Sequence, residues 1–390
     1  MKFFENFFSK EKNIEIQSLT YGLNLFIPTF ILILSSLFEN YELTAELGIL
    51  IGVNVIFTQI FSSNARSLII SKESQISFQS FILFRILISV FVLALNLIII
   101  KYYEFIYSYL LFQLSILIVL QWLNELILTY FEINKKNKEI YSYLFIKVFF
   151  LTIIIINFLF FQNLFDIILI FNLLLFLFFI KYYFEIKKKI TYQYSILKIF
   201  KNSLSSLSFY SSFSISFANL LWRIFIIMFC GKILAGIYFA GFAIGSLPGT
   251  FFNNSFGPSM IKKNFKFKKI INLLNNAFII LMICSLVYMT KIYQNIFINN
   301  FDTQVICTFL SLSGSFLMVK GLYFRQYLIQ KTKYQSRVFK TDVLYSALII
   351  LVVPFLNFIG GYKLIIISFL ISSIISIVTY GSIHKLFLKK

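Results

Sequence analysis

Apolar residues along this chain fall in long unbroken runs. FFLTIIIINFLFF (149–161) and LIFNLLLFLFFI (169–180) are typical. They do not alternate as a half-buried strand does, and they do not keep to one stripe of a helix. Runs of about 18 apolar residues or more are long enough to cross a bilayer. Polar interruptions divide the chain into twelve such spans, at 16–38, 43–63, 76–100, 105–130, 140–161, 164–186, 203–230, 234–260, 270–291, 303–330, 338–358 and 361–386. The pattern predicts an all-α polytopic membrane protein.

Composition agrees with the pattern. The 390 residues are 59% hydrophobic and 13% charged, against about 25% charged in an ordinary soluble domain. Phe, Ile, Lys and Asn are all abundant, so the Phe and Tyr content carries no functional meaning by itself. The net charge of +20 reflects where the cations sit. Most of the 35 Lys and Arg residues lie at the two ends and in every second loop. Cytoplasmic loops collect Lys and Arg, so both termini are expected in the cytoplasm. The loops on the other side are short, even Lys291 to Asp302. The N-terminal MKFFENFFSKEKNIEIQ has mixed charge and a full span after it, so it reads as a surface-lying segment rather than a cleavable signal.

Several function classes drop out. A chain this apolar uses its positive charge on membrane topology, not on nucleic acid. Cys230, Cys284 and Cys307 are widely spaced, and His384 is the single histidine. That leaves no disulfide framework, metal cluster or His-dependent triad. No G-x-x-x-x-G-K-[ST] is present for a P-loop. A polysaccharide polymerase or lipid-linked sugar transferase would need a sizeable outer loop to hold its acceptor, and none is found. The chain is expected not to be an enzyme.

The longest inner connection, KKKITYQYSILKIFKNS, reads as an amphipathic linker. It suggests an N-terminal six-helix bundle (1–186), a cytoplasmic linker (187–202) and a C-terminal six-helix bundle (203–390). The halves rhyme. SLTY at 18–21 parallels SLSF at 206–209, and ELGILIGVNVIFTQIFSSN from Glu46 aligns with GIYFAGFAIGSLPGTFFNN from Gly236. Such repeats, entered from the same side, are common in transporters.

Two stretches carry a family resemblance. KILAGIYFAGFAIGSLPGTFFNNSFGPSMIKKN (232–264) resembles the start of the second half of bacterial polysaccharide flippases, with an "aG.Y" element, a Pro and a basic tail. YGLNLFIPTFILILSSLFENYELTAELGILI (21–51) resembles their first two spans. The family is the Wzx type of the multidrug, oligosaccharidyl-lipid and polysaccharide (MOP) exporter superfamily. The resemblance implies two pseudo-symmetric six-helix bundles of the MATE/MOP kind around a central cavity. It also implies alternating-access flipping of an undecaprenyl-diphosphate-linked oligosaccharide, an O-antigen or capsular repeat unit, across the bacterial inner membrane. The partners would then be the lipid-linked oligosaccharide, membrane lipids and polysaccharide assembly proteins. The first alternative is an ion-coupled multidrug exporter of the same fold, and the weaker second one is a membrane polysaccharide polymerase or transferase. No cofactor is expected beyond a coupling ion, H+ or Na+, with Glu46, Glu125 and Asp342 the carboxylates able to carry it.

The spans contain Arg85, Lys147, Arg223, Lys320 and Arg325. A cation at the bilayer centre costs about 2.5–3.5 kcal/mol on insertion scales. At about 1.5 Å rise per residue, Glu125 and Lys147 reach similar depth on consecutive spans, as do Arg325 and Asp342. Both couples are expected to be ion pairs, either structural bridges or part of an inner gate. Arg85, Arg223 and Lys320 have no carboxylate at matching depth. They are expected to line a wet cationic cavity, where Arg and Lys suit the phosphates of a lipid diphosphate. Pro28, Pro248 and Pro354 can bend their helices. Gly241, Gly245 and Gly249, spaced by four, allow close helix approach.

Overall fold

The structure, a computed structural model, describes residues 10–62, 78–160, 164–187, 207–252, 276, 278–288, 300–330 and 335–388. Among them there is helix and no strand. In chain order the helices are α1 (Lys10–Leu37), α2 (Tyr41–Ser62), α3 (Phe78–Tyr102), α4 (Ser108–Ile133), α5 (Asn137–Phe160) and α6 (Leu164–Lys187). A single helical stretch, Leu207–Phe251, follows. Then come α9 (Phe278–Tyr288), α10 (Asn300–Gln330), α11 (Gln335–Gly360), a 3₁₀ turn (Tyr362–Ile367) and α12 (Ser368–Leu388).

Leu207–Phe251 counts 45 residues. As one rod it would run about 68 Å, more than twice the roughly 30 Å hydrocarbon core. It does not run straight. Gly231 has φ 74° and ψ 170°, far from helical values. On either side of it, the Trp222 and Phe242 ring centroids are 4.8 Å apart. The Arg223 guanidinium lies over the Phe239 ring at 5.8 Å. Residues at similar distances on either side of Gly231 therefore meet, and the stretch is a hairpin of two helices, α7 (207–230) and α8 (232–251). Only glycine adopts this backbone readily. With this hairpin opened into two limbs, each of the twelve expected spans contains helix among the described residues, and the chain is an all-α, multi-pass membrane protein.

Other turns close by one device. Glu39, Glu104 and Lys135 have positive φ without being glycine. Each is the second residue past a helix end. Around Glu39, the Asn40 N–H donates to Ser35 O at 2.9 Å and the Glu39 N–H to Ser36 O at 3.0 Å. The same pair of bonds recurs at Phe105 and Glu104, and at Lys136 and Lys135. This is the Schellman closure, which satisfies the last carbonyls of a helix. Asn40 then caps α2, accepting from the Leu43 N–H at 3.2 Å.

The chain divides into two compact units, one of Met1–Ile31 and Val53–Phe213, the other of Leu32–Gly52 and Ser214–Lys390. In the first, α4 is central, packing most extensively on α6, then α3, and less on α5. Amides bind the neighbours. Asn96 donates to Asn54 at 2.9 Å, Asn124 to the Leu175 carbonyl at 3.2 Å, and Asn172 to both oxygens of Gln113. In the second unit the dominant contact is α10 on α12. Small residues bring these helices close. A Cβ on Gly314 would lie 3.1 Å from Leu370 Cα, and one on Gly321 would strike Ser376. The spaced glycines of α8 serve α10 in the same way, Gly241 against Cys307 and Gly245 against Ser311. Pro28, Pro248 and Pro354 lie inside α1, α8 and α11. The expected linker 187–202 lies, but for Lys187, outside the described residues, as does the N-terminal segment before Lys10.

Candidate charged sites within the spans

In the second unit, Arg325 on α10 meets Asp342 on α11. Nε and Nη2 donate to Oδ1 and Oδ2 at 2.9 and 3.0 Å, a two-pronged contact. The Tyr380 hydroxyl of α12 donates to the same Oδ1 at 2.5 Å. Asp342 is fully buried and Tyr380 almost so. The site ties three helices together through one carboxylate. Its acceptor capacity is largely filled, which is the condition under which a buried charge is tolerable.

The first unit holds a looser pair. Arg85 on α3 is 1% exposed and directs Nη1 to Glu125 Oε2 on α4 at 3.1 Å. The same nitrogen donates to the Trp122 carbonyl at 2.5 Å, and the guanidinium lies 4.8 Å from the Trp122 ring centroid. Glu125 keeps 28% of its side chain accessible. This pairing differs from the sequence expectation, which joined Glu125 to Lys147. Helix neighbourhood explains it, since α4 packs on α3 more than on α5. Lys147 is instead fully buried with its ammonium over the rings of Tyr143 (5.1 Å) and Phe171 (5.2 Å), the latter stacked on Phe150. Arg85, expected to lack a carboxylate, has one.

Among the described residues, Arg223 on α7 meets no carboxylate but does have an anchor. Its Nη1 donates to the Gly48 carbonyl of α2. A helix carbonyl already bonded within its own ladder retains a lone pair for such a donor. The missing side chains of Gly48 and Gly52 make room, with Phe239 filling the space at Gly48 and Leu220 and Arg223 that at Gly52. Nearby, Lys232 Nζ lies 3.3 Å from Glu46 Oε1. Glu46 is 1% exposed and Lys232 42%. The sequence signal for this cluster was the Gly48/Gly52 spacing beside a buried acid.

Lys320 is half-buried on α10. Its neighbour Val319 joins Phe252, with Phe316, Leu322 and Tyr323 packed against them. Tyr323 and Tyr327 lie ring to ring at 6.4 Å. Phe324 points toward α12, where a Cβ on Gly381 would lie 3.5 Å from its ring.

The backbone as a whole matches solved membrane transporters. One, an inward-facing multidrug resistance MATE family transporter of the MOP superfamily, aligns with TM-score 0.57 and 12% identity over 98% of this chain and 95% of that one. An outward-facing multidrug resistance MATE transporter of the superfamily gives 0.53 and 12% over 97% and 96%. A MATE in complex with MaD3S gives 0.52 and 12% over 97% of both chains. The likeness shows the fold, which is that of these MATE transporters. No protein-family model matches the sequence, and no curated protein matches it.

Proposed function

We propose that this membrane protein transports by alternating access, and that its cargo is a lipid-linked anionic oligosaccharide flipped from the inner to the outer leaflet of a bacterial inner membrane. The transporter half of this reading rests on the fold. The cargo half rests on one observation: Glu46, Glu125 and Asp342 each lie within ion-pair reach of a cation. Counting Lys232, the cations at and within the spans outnumber the carboxylates, so the membrane-embedded charge is net positive. A positive interior suits a diphosphate and disfavours a cationic drug. Lys320, half-buried beside Tyr323 and Tyr327, offers a cation and aromatic faces to a sugar phosphate, and is the substrate contact this reading favours. Arg223 and Arg85 are the further candidates.

The test is reconstitution in proteoliposomes with a fluorescent polyprenyl-diphosphate oligosaccharide. Flipping is read by quenching with an impermeant reductant. The expected result is protein-dependent flipping that Lys320→Gln slows. The fold neighbours are described as multidrug resistance transporters, which keeps a second reading, ion-coupled drug export. Ethidium movement driven by a H+ or Na+ gradient, with no flipping, would establish that reading and remove the first.

A further inference from the structure

We infer that the outer turn of α1–α2 and the α7–α8 hairpin form a releasable clasp, fastened by Glu46–Lys232 and by Arg223 on the Gly48 carbonyl. Both partners belong to one compact unit, which takes in residues 32–52 although the rest of α1 and α2 is grouped with the other unit. Within this unit α2 lies on the hairpin over several turns. At its start, a Cβ on Gly236 would strike the Tyr41 carbonyl. One turn on, Glu46 meets Lys232. Further along, Gly48 receives the Phe239 ring and the Arg223 hydrogen bond, and Gly52 faces Leu220.

The chemistry of this contact is that of a fastening rather than a weld. Glycine approaches, one ion pair and one hydrogen bond hold it. A weld would need interdigitated long apolar side chains. The ammonium end of the ion pair is exposed at the start of α8, and an exposed ion pair holds weakly. An open depression of about 490 Å³, lined by Phe38, Glu39, Glu42, Ile233 and Asn300 among others, flanks Tyr41 at this end. Water therefore reaches the rim of the clasp. The positive-inside charge distribution puts this rim on the outer side. The inference concerns a conformational device and holds whichever cargo is carried.

The experiment replaces the three native cysteines with alanine and introduces Ala45→Cys. Ala45 is fully buried and shares the Tyr41, Gly48 and Gly52 face of α2 by helical spacing. Labelling of intact cells by a membrane-impermeant maleimide is then compared among variants. Lys232→Glu and Glu46→Lys should each raise labelling several-fold, and the double exchange should return it toward the starting rate. Should Glu46→Lys fail to accumulate in the membrane, Lys232→Glu carries the test alone, because its side chain lies at the accessible end. Unchanged labelling in Lys232→Glu would overturn the clasp. So would a double exchange labelled as fast as the single variants.

Discussion

The two arginine–carboxylate pairs stand in the same relation to their helices and differ in how completely they are closed. Arg85–Glu125 and Arg325–Asp342 both join consecutive antiparallel helices. Asp342 receives two guanidinium nitrogens and a tyrosine hydroxyl, and no part of it is accessible. Glu125 receives one nitrogen and stays 28% accessible. The longer acid of the looser pair leaves an oxygen toward the surroundings, and its arginine turns to a backbone carbonyl and an indole face instead. A charge pair that is filled and sealed holds helices together. One that is half-filled can exchange its partner, so the first unit's pair is the better candidate for a changing role in the proposed transport cycle.

Removing a charge from each pair should break this comparison most visibly. Asp342→Ala strands a buried guanidinium and should cost about 3–5 kcal/mol, read as lost membrane yield and a lowered melting temperature in detergent. Tyr380→Phe removes one bond to a charged acceptor and should cost about 1.5–3 kcal/mol. It separates the contribution of α12 from that of the arginine. Glu125→Gln should cost less, about 1 kcal/mol, since an amide oxygen still accepts and Arg85 keeps the Trp122 carbonyl. If Glu125→Gln melts as low as Asp342→Ala, the contrast between the two sites is wrong. Partner identity sharpens it further. The double exchange Arg85→Glu with Glu125→Arg should recover part of the stability lost in Arg85→Glu, whereas exchanging charges between Glu125 and Lys147 should recover none.

These sites also mark what a sequence can and cannot convey. The span pattern carried the twelve helices because bilayer thickness fixes helix length, and even the Gly231 turn fell between expected spans. Depth along consecutive helices set Arg325 beside Asp342, where the two side chains meet at 2.9 Å. The same reckoning set Glu125 beside Lys147. It went wrong because depth does not say which neighbouring helix is closest, and α3 lies nearer α4 than α5 does. Arg223 was expected to need an anion; a helix carbonyl exposed by Gly48 takes its hydrogen bond. Backbone acceptors of that kind leave no charge pattern to read. Tyr380 was equally silent, since an aromatic residue in an aromatic-rich chain advertises nothing.

The smallest expected effect comes from another pair, at the ends of the helices. Lys136, in the α4–α5 turn, lies 2.6 Å from Glu185 at the end of α6. The side chains are 23% and 36% accessible. The hydrogen bond to Glu185 is the largest cause of a lysine pKa raised above its usual 10.5, offset in part by burial. A group whose pKa rises on folding contributes stability that is complete below the unfolded value and lost as pH climbs through the folded one. The bridge should therefore be at full strength at neutral pH and weaken only above about pH 10.4. Lys136→Met should cost less than about 1 kcal/mol at pH 7, and high salt should shrink even that. Melting temperatures of the two proteins at low and high ionic strength measure it. A loss at neutral pH comparable to that of Asp342→Ala would mean that closure by burial is not what ranks these pairs.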